Sequence, residues 1–131
     1  MKKIIYLLLY LIIFCNSFAS TDIEIVKKYY EKFEEAVHLY KEGRFRLSEH
    51  YFESILKEDR DHRDPAAQLF IGKSQIQQGL WDNAKRTCKT ILANYPNSPY
   101  QVDIYILLGD CAFNEGKITL AFKNYIMANI Y

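Results

Sequence analysis

The sequence predicts an all-α chain of three helical hairpins. Gly43, Gly79 and Gly116 stand 36 and 37 residues apart, which indicates a repeated unit. Each glycine lies between two stretches with apolar residues at helical spacing, and glycine permits the tight turn that makes two consecutive helices antiparallel. Proline and helix-capping residues at 64–65 and 96–99 mark the breaks between the units.

The residues around the three glycines agree column by column. Seven positions before each glycine stands a small residue: Ala36, Gly72 or Gly109. Four more columns follow each glycine. They are Phe45, Trp81 and Ile118 at two positions after it; Ser48, Ala84 and Ala121 at five; Phe52, Cys88 and Tyr125 at nine; and Ile55, Ile91 and Ala128 at twelve. Small residues at two such places let the two helices of a hairpin approach closely.

The first hairpin opens with a long helix. Thr21 and Glu24 have the spacing of a capping box, so we expect this helix to begin there and to end near Glu42. Its apolar residues stand at positions 23, 26, 30, 33, 37 and 40, and the second helix is predicted over 45–57.

The other four helices are predicted over 66–78, 81–94, 99–115 and 118–130. Asp64 is an N-cap residue followed by Pro65, which suits the first helical position. Pro96 stops the fourth helix, because it lacks a backbone donor and clashes with the preceding turn. Ser98 and Pro99 then repeat the start signal.

These columns resemble the tetratricopeptide repeat. The second unit carries Ile71-Gly72, Gly79, Ala84, Ile91 and Pro96, and the third carries Tyr105, Leu108-Gly109, Gly116, Ala121, Tyr125 and Ala128. The first unit departs from the pattern with Glu35, where an apolar residue is expected. The resemblance covers residues 29–131 and implies a tetratricopeptide-type α-solenoid over 20–131, with repeats at about 29–64, 65–101 and 102–131.

The junction "YPNSPY" narrows the resemblance. Followed by an apolar helix with Leu-Gly, it is similar to tetratricopeptide proteins of the bacterial cell envelope. Two families of this kind are the Tol-Pal accessory (cell-division coordinator) proteins and the lipoproteins of the outer-membrane β-barrel assembly machinery, and the junction does not choose between them.

The N-terminus has the features of an export signal. Lys2 and Lys3 precede an apolar run over 4–14, which is too short for a bilayer span, and small residues stand at 17 and 19. We therefore expect a signal peptide over 1–19, cleavage after Ala19, and a periplasmic or envelope-associated product. Lipidation at Cys15 is the alternative and would give membrane contact, but bulky Phe14 fits a lipobox poorly.

Charge gives no sign of a nucleic-acid partner. Without Lys2 and Lys3 the chain from Ser20 has 15 Lys and Arg against 16 Asp and Glu, a balance that leaves no basic footprint for nucleic acid or anionic lipid. Cys88 and Cys111 could form one disulfide or could both be small core residues.

We expect no catalytic or metal site and no cofactor. The acidic cluster Asp59, Asp61, His62 and Asp64 matches no calcium or zinc spacing and reads as a solvated loop. Neither His38 nor His50 has a partner at a catalytic spacing, and no phosphate loop or nucleophile elbow occurs.

In the family the first helix of each hairpin lines a groove that receives a peptide or helix of a partner protein. When the groove positions of the family are placed on this sequence, the groove residues are Tyr30, Phe33, Val37, Tyr40, Leu69, Lys73, Ile76, Gln77, Ile106, Asp110, Phe113 and Asn114. The resemblance thus implies a non-enzymatic adaptor; the alternative is a self-associating repeat protein.

The C-terminal hairpin is predicted to lack a polar capping helix. It would then expose a set of apolar residues, namely Leu120, Tyr125, Ile126, Ile130 and Tyr131. We expect either that the sequence is a piece of a longer array or that this hairpin docks on a partner or on a second copy.

Overall fold

The computed structural model describes the backbone of residues 2–58 and 64–131 and the side chains of Tyr6, 21–58 and 64–131. This part of the chain forms α-helices and contains no strand, which confirms the all-α prediction. The helices are α1 (Lys2–Lys41), α2 (Phe45–Glu58), α3 (Pro65–Gln77), α4 (Trp81–Asn94), α5 (Gln101–Asn114) and α6 (Ile118–Ile130).

The chain divides into two compact units, Met1–Lys32 and Phe33–Tyr131. In the first unit, Ile23, Val26 and Tyr30 are exposed on α1. Among the helices that the structure describes, none is both long enough and apolar enough to cross a bilayer.

The predicted start of the first helix at Thr21 is wrong. The helix α1 already runs from Lys2, and residues 2–41 contain neither proline nor glycine to interrupt it. A capping box stabilises a helix start but does not create one inside a helix whose backbone bonds continue.

Glycine makes each of the three hairpin turns, as predicted. Gly43, Gly79 and Gly116 have φ angles of 78°, 74° and 72°, in the left-handed region that side chains disfavour. The residue after each glycine donates its N–H to the carbonyl five residues earlier, at 2.8–2.9 Å. This bond closes the helix end in the manner of a Schellman motif.

The helix starts follow the sequence signals at α3 but not at α5. Asp64 accepts a hydrogen bond from the amide of Ala66 at 2.8 Å, so its predicted capping role is confirmed. The helix α5 begins at Gln101, two residues later than predicted. The Ser98 hydroxyl instead accepts a hydrogen bond from the backbone amide of Tyr100 at 3.2 Å. The backbone amide of Gln101 donates to the Ser98 carbonyl, so these residues form a separate turn before the helix.

The core of the second unit lies between successive hairpins. The helix α3 packs on α2 and α4, and α5 packs on α4, α6 and α3. One cluster is aromatic and joins the first hairpin to the second. The other is mainly aliphatic, joins the second hairpin to the third, and contains Leu69, Cys88, Ile91, Ile104, Leu107 and Leu108.

Cys88 and Cys111 are free thiols in this core. Cys88 and Cys111 are both fully buried, and burial raises the pKa of Cys88 to about 12 and that of Cys111 to about 11. In the structure both cysteines are therefore small core residues, and they do not form a disulfide.

Candidate functional site

The groove residues predicted in the first hairpin are mostly engaged with other aromatic rings. Tyr30 belongs to the first unit and is exposed. Phe33 meets the ring of Phe52 edge-on at 5.1 Å between centroids, and Tyr40 meets the ring of Phe70 edge-on at 5.6 Å. Val37, between them on α1, is half-buried. The rings of Phe33 and Tyr40 therefore help to hold α3 on the first hairpin.

The groove residues predicted in the second hairpin are mostly in contact with α5. Leu69 is buried in the aliphatic cluster, and Ile76 packs against it. Lys73 donates to Asp103 of α5 at 2.8 Å. Gln77 is exposed.

The groove residues predicted in the third hairpin are the most accessible of the set. Ile106 is 42% exposed and Phe113 is 61% exposed. Asp110 accepts a hydrogen bond from the hydroxyl of Tyr125 at 2.8 Å, and Asn114 is exposed.

The repeat register explains this difference in burial. Leu69, Lys73 and Ile76 stand 37 residues before Ile106, Asp110 and Phe113, so the two sets occupy the same columns. The helix α5 covers these columns in the second hairpin, as α3 covers them in the first. In the third hairpin Ile106 and Phe113 remain exposed, because within the described chain no seventh helix follows to cover them.

The second helix of the third hairpin extends the exposed surface. Ile118 and Phe122 are 58% and 66% exposed, and Tyr125 is partly so. The ring of Tyr125 lies over Gly109, whose missing Cβ leaves room for it, and its hydroxyl binds Asp110. We call Ile106, Phe113, Ile118, Phe122 and Tyr125 the hairpin-3 face.

Sequence reasoning missed Phe122, although a signal for it exists. The column six positions after the turn glycine holds Glu49, Lys85 and then Phe122. A single aromatic residue in an otherwise charged column indicates a change of environment at that position.

Glu49 and Lys85 close the junctions between hairpins. The side-chain Nε2 of Gln78 donates to Glu49 at 2.6 Å, and Lys85 forms an ion pair with Glu115. Hydrogen bonds from Lys117 and Lys85 lower the pKa of Glu115 to about 2. The third hairpin has no such polar group in this column, because Phe122 occupies it.

Among the described side chains, no three His, Cys, Asp or Glu residues gather as metal ligands would. Asp59, Asp61 and His62 lie outside the described residues. His38 lies 3.5 Å from Glu42 in an exposed pair, and His50 is exposed on α2.

The sequence profile of the tetratricopeptide repeat family matches residues 39–104, which is 66 of the 131 residues. The match begins in the last turn of α1 and ends within α5. No curated protein matches the chain. Tetratricopeptide repeats commonly mediate protein–protein interactions and are generally non-enzymatic.

Proposed function

Because the chain belongs to the tetratricopeptide repeat family, we propose that it is a non-enzymatic adaptor of the bacterial cell envelope. In this proposal a peptide or helix of a protein partner binds along the groove lined by the first helices of the hairpins. The exposure of Phe113 is the observation that carries the proposal.

The third hairpin is the best-supported part of the groove. Ile106 and Phe113 are apolar and accessible, and they lie on the same helix as the polar Asp110 and Asn114. A few aromatic anchors beside orienting polar groups are typical of protein-binding sites. Leu69 is buried, so it supports α5 and would not touch a partner.

The envelope part of the proposal rests on residues 1–19. Their charged start, short apolar run and small residues at 17 and 19 favour export with cleavage after Ala19. The intact mass of the protein purified from its native host tests this. A lipid-modified N-terminus at Cys15, or an uncleaved chain, would contradict soluble export.

The groove is tested by photo-crosslinking in the native envelope. A photoreactive phenylalanine at position 113 should capture a specific protein, whereas the same group at exposed Lys89 on α4 should not. The captured protein is then purified, and its affinity is measured for the parent chain and for variants.

Phe113→Ala should weaken the binding of that partner by about 1–2 kcal/mol, which is roughly a five- to thirtyfold loss in affinity. Lys89→Ala is the matched control and should change nothing. Tyr40→Ala is a less clean variant, because Tyr40 also packs on Phe45 and Phe70. Unaltered affinity in Phe113→Ala would show that the partner binds elsewhere.

A further inference from the structure

One side of α6 carries residues at the spacing that helices use to pack against each other. Ile118, Phe122, Tyr125 and Asn129 are separated by four, three and four residues, so they follow one line along the helix. All four are exposed. We call these four residues the α6 seam.

The same positions of α4 form a contact between helices. The counterparts 37 residues earlier are Trp81, Lys85, Cys88 and Leu92. The Trp81 carbonyl lies 3.6 Å from the Cys111 sulfur, Lys85 pairs with Glu115, and Cys88 and Leu92 pack in the aliphatic cluster with α5. The α6 seam thus repeats a surface that carries a helix one hairpin earlier.

The α6 seam differs from its counterpart in charge. Phe122 replaces Lys85, and no seam residue is charged. Lys123 is the one charged residue of α6, and it lies about 100° around the helix from Phe122. A helix covering the seam therefore needs an uncharged residue opposite Phe122, whereas α5 presents Glu115 to Lys85.

This requirement excludes an open head-to-tail stack of copies. In such a stack α1 of the next copy would lie on α6, as α5 lies on α4. Glu34, Glu35 and Glu42 occupy on α1 the columns of Leu107, Leu108 and Glu115 on α5, and all three carboxylates are exposed. Burying Glu34 and Glu35 against this seam would place two carboxylates against residues that carry no positive charge, which is strongly unfavourable.

We propose that the α6 seam pairs with the α6 seam of a second copy of this chain, around a two-fold axis. In an antiparallel pair, Phe122 of one copy meets Tyr125 of the other near the axis, and Ile118 lies opposite Asn129. Such an interface uses the same surface on both copies, and it closes at two. Its uncharged residues give no repulsion between the copies.

The exposed area predicts a weak dimer. Ile118, Phe122, Tyr125 and neighbouring Ile126 expose between 36% and 66% of their surface, about half on average. With Ile126 included, the seam therefore offers roughly 400 Å² per copy if each residue has about 200 Å² in total. The two copies would bury about 800 Å² together, below the roughly 1,200 Å² of a standard stable interface. We therefore expect association in the micromolar range or weaker.

Sedimentation equilibrium of residues 20–131, which contain the second unit whole, tests the dimer. Between about 1 and 500 μM the average mass should rise from monomer towards dimer and no further. Phe122→Lys introduces the residue type that Lys85 has at the same position of α4, and it should weaken dimer association at least tenfold. Lys123→Gln, the adjacent change off the seam, should leave it unaltered.

Cysteine crosslinking tests the antiparallel pairing independently of those variants. Ile118→Cys and Asn129→Cys chains should form a disulfide when mixed and not when either is oxidised alone. A monomer at every concentration, a dimer that survives Phe122→Lys, or self-crosslinking of Ile118→Cys would each overturn the proposal. These measurements use the purified chain alone, so a negative result would not bear on a partner protein that binds in the groove.

Discussion

Replacing Gly109 with alanine should destabilise the chain, although the same change at Gly72 should stabilise it. A Cβ built at residue 109 would lie less than 3.0 Å from three ring carbons of Tyr125, closer than packed atoms can approach. At Gly72 the nearest atoms, Thr87 Cγ2 and Cys88 Sγ, lie at 3.6 Å and 3.7 Å, which is ordinary contact. Both glycines are in the middle of helices, so the two changes differ mainly in what the new methyl group meets.

The magnitude follows from the burial of the Tyr125 ring. Tyr125 is 36% exposed, so it buries roughly 130 Å² of a side chain of about 200 Å². Displacing the whole ring would cost up to about 3 kcal/mol at 25 cal/mol per Å². Replacing a helical glycine with alanine returns about 1 kcal/mol. We therefore expect Gly109→Ala to lower the free energy of unfolding by about 1–2 kcal/mol and Gly72→Ala to raise it by about 0.5–1 kcal/mol.

Urea unfolding followed by far-ultraviolet circular dichroism measures both changes. The Tyr125→Ala background is the decisive control. Without the ring, Gly109→Ala should become stabilising, like Gly72→Ala. If Gly109→Ala is as stable as the parent in the presence of Tyr125, the ring does not need the space above Gly109 and the reasoning fails.

Three further changes test the core, a junction and the thiols. Phe52→Ala should cost about 3–5 kcal/mol of unfolding free energy, because Phe52 is fully buried and stacks on Phe70 at 5.0 Å; a cost under about 1 kcal/mol would contradict this packing. The pKa of Glu115 is lowered from 4.5 to about 2, so its ionised form contributes stability above pH 4.5 that is lost as the pH falls towards 2. In urea unfolding measured over that pH range, Glu115→Gln should therefore lose less stability than the parent. Equal losses would argue against the ion pair. Cys88 and Cys111 should resist iodoacetamide at about pH 8 in the folded chain and react in urea, since burial raises the pKa of both thiols, and rapid alkylation of the folded chain would show that they are accessible.

The turns and most helix limits could be predicted, because single residues specify them. Gly79 needs a left-handed backbone, Pro96 stops a helix, and Asp64 caps one, and each acts through bonds within a few residues. The start of α1 could not be predicted in this way. A capping box is a signal only where the preceding residues leave the helix, and that depends on the whole of the apolar run before Thr21.

Burial at the predicted groove could not be read from the columns alone. Leu69 and Ile106 are both apolar and occupy the same column, yet one is 3% exposed and the other 42%. The column determines which way a side chain points, whereas burial depends on whether another hairpin follows. The sequence therefore predicts which columns these residues occupy, but it could not tell which of the residues are exposed.

Two departures from the repeat pattern, Glu35 and Phe122, have opposite consequences for association. Glu35 occupies the column of buried Ile71 and Leu108, but it is exposed on α1, where a carboxylate is well solvated. Phe122 occupies the column of Glu49 and Lys85 and is also exposed, where an aromatic ring gains nothing from water. A polar residue in an apolar column is thus stable when no further helix covers it, whereas an exposed apolar residue in a charged column is unfavourable unless another surface covers it. Since Phe122 lies beside Ile118 and Tyr125, its exposure is part of a continuous patch, and such patches mark interaction surfaces. Association through the third hairpin, and not through the acidic face of the first, is the arrangement that is consistent with both departures.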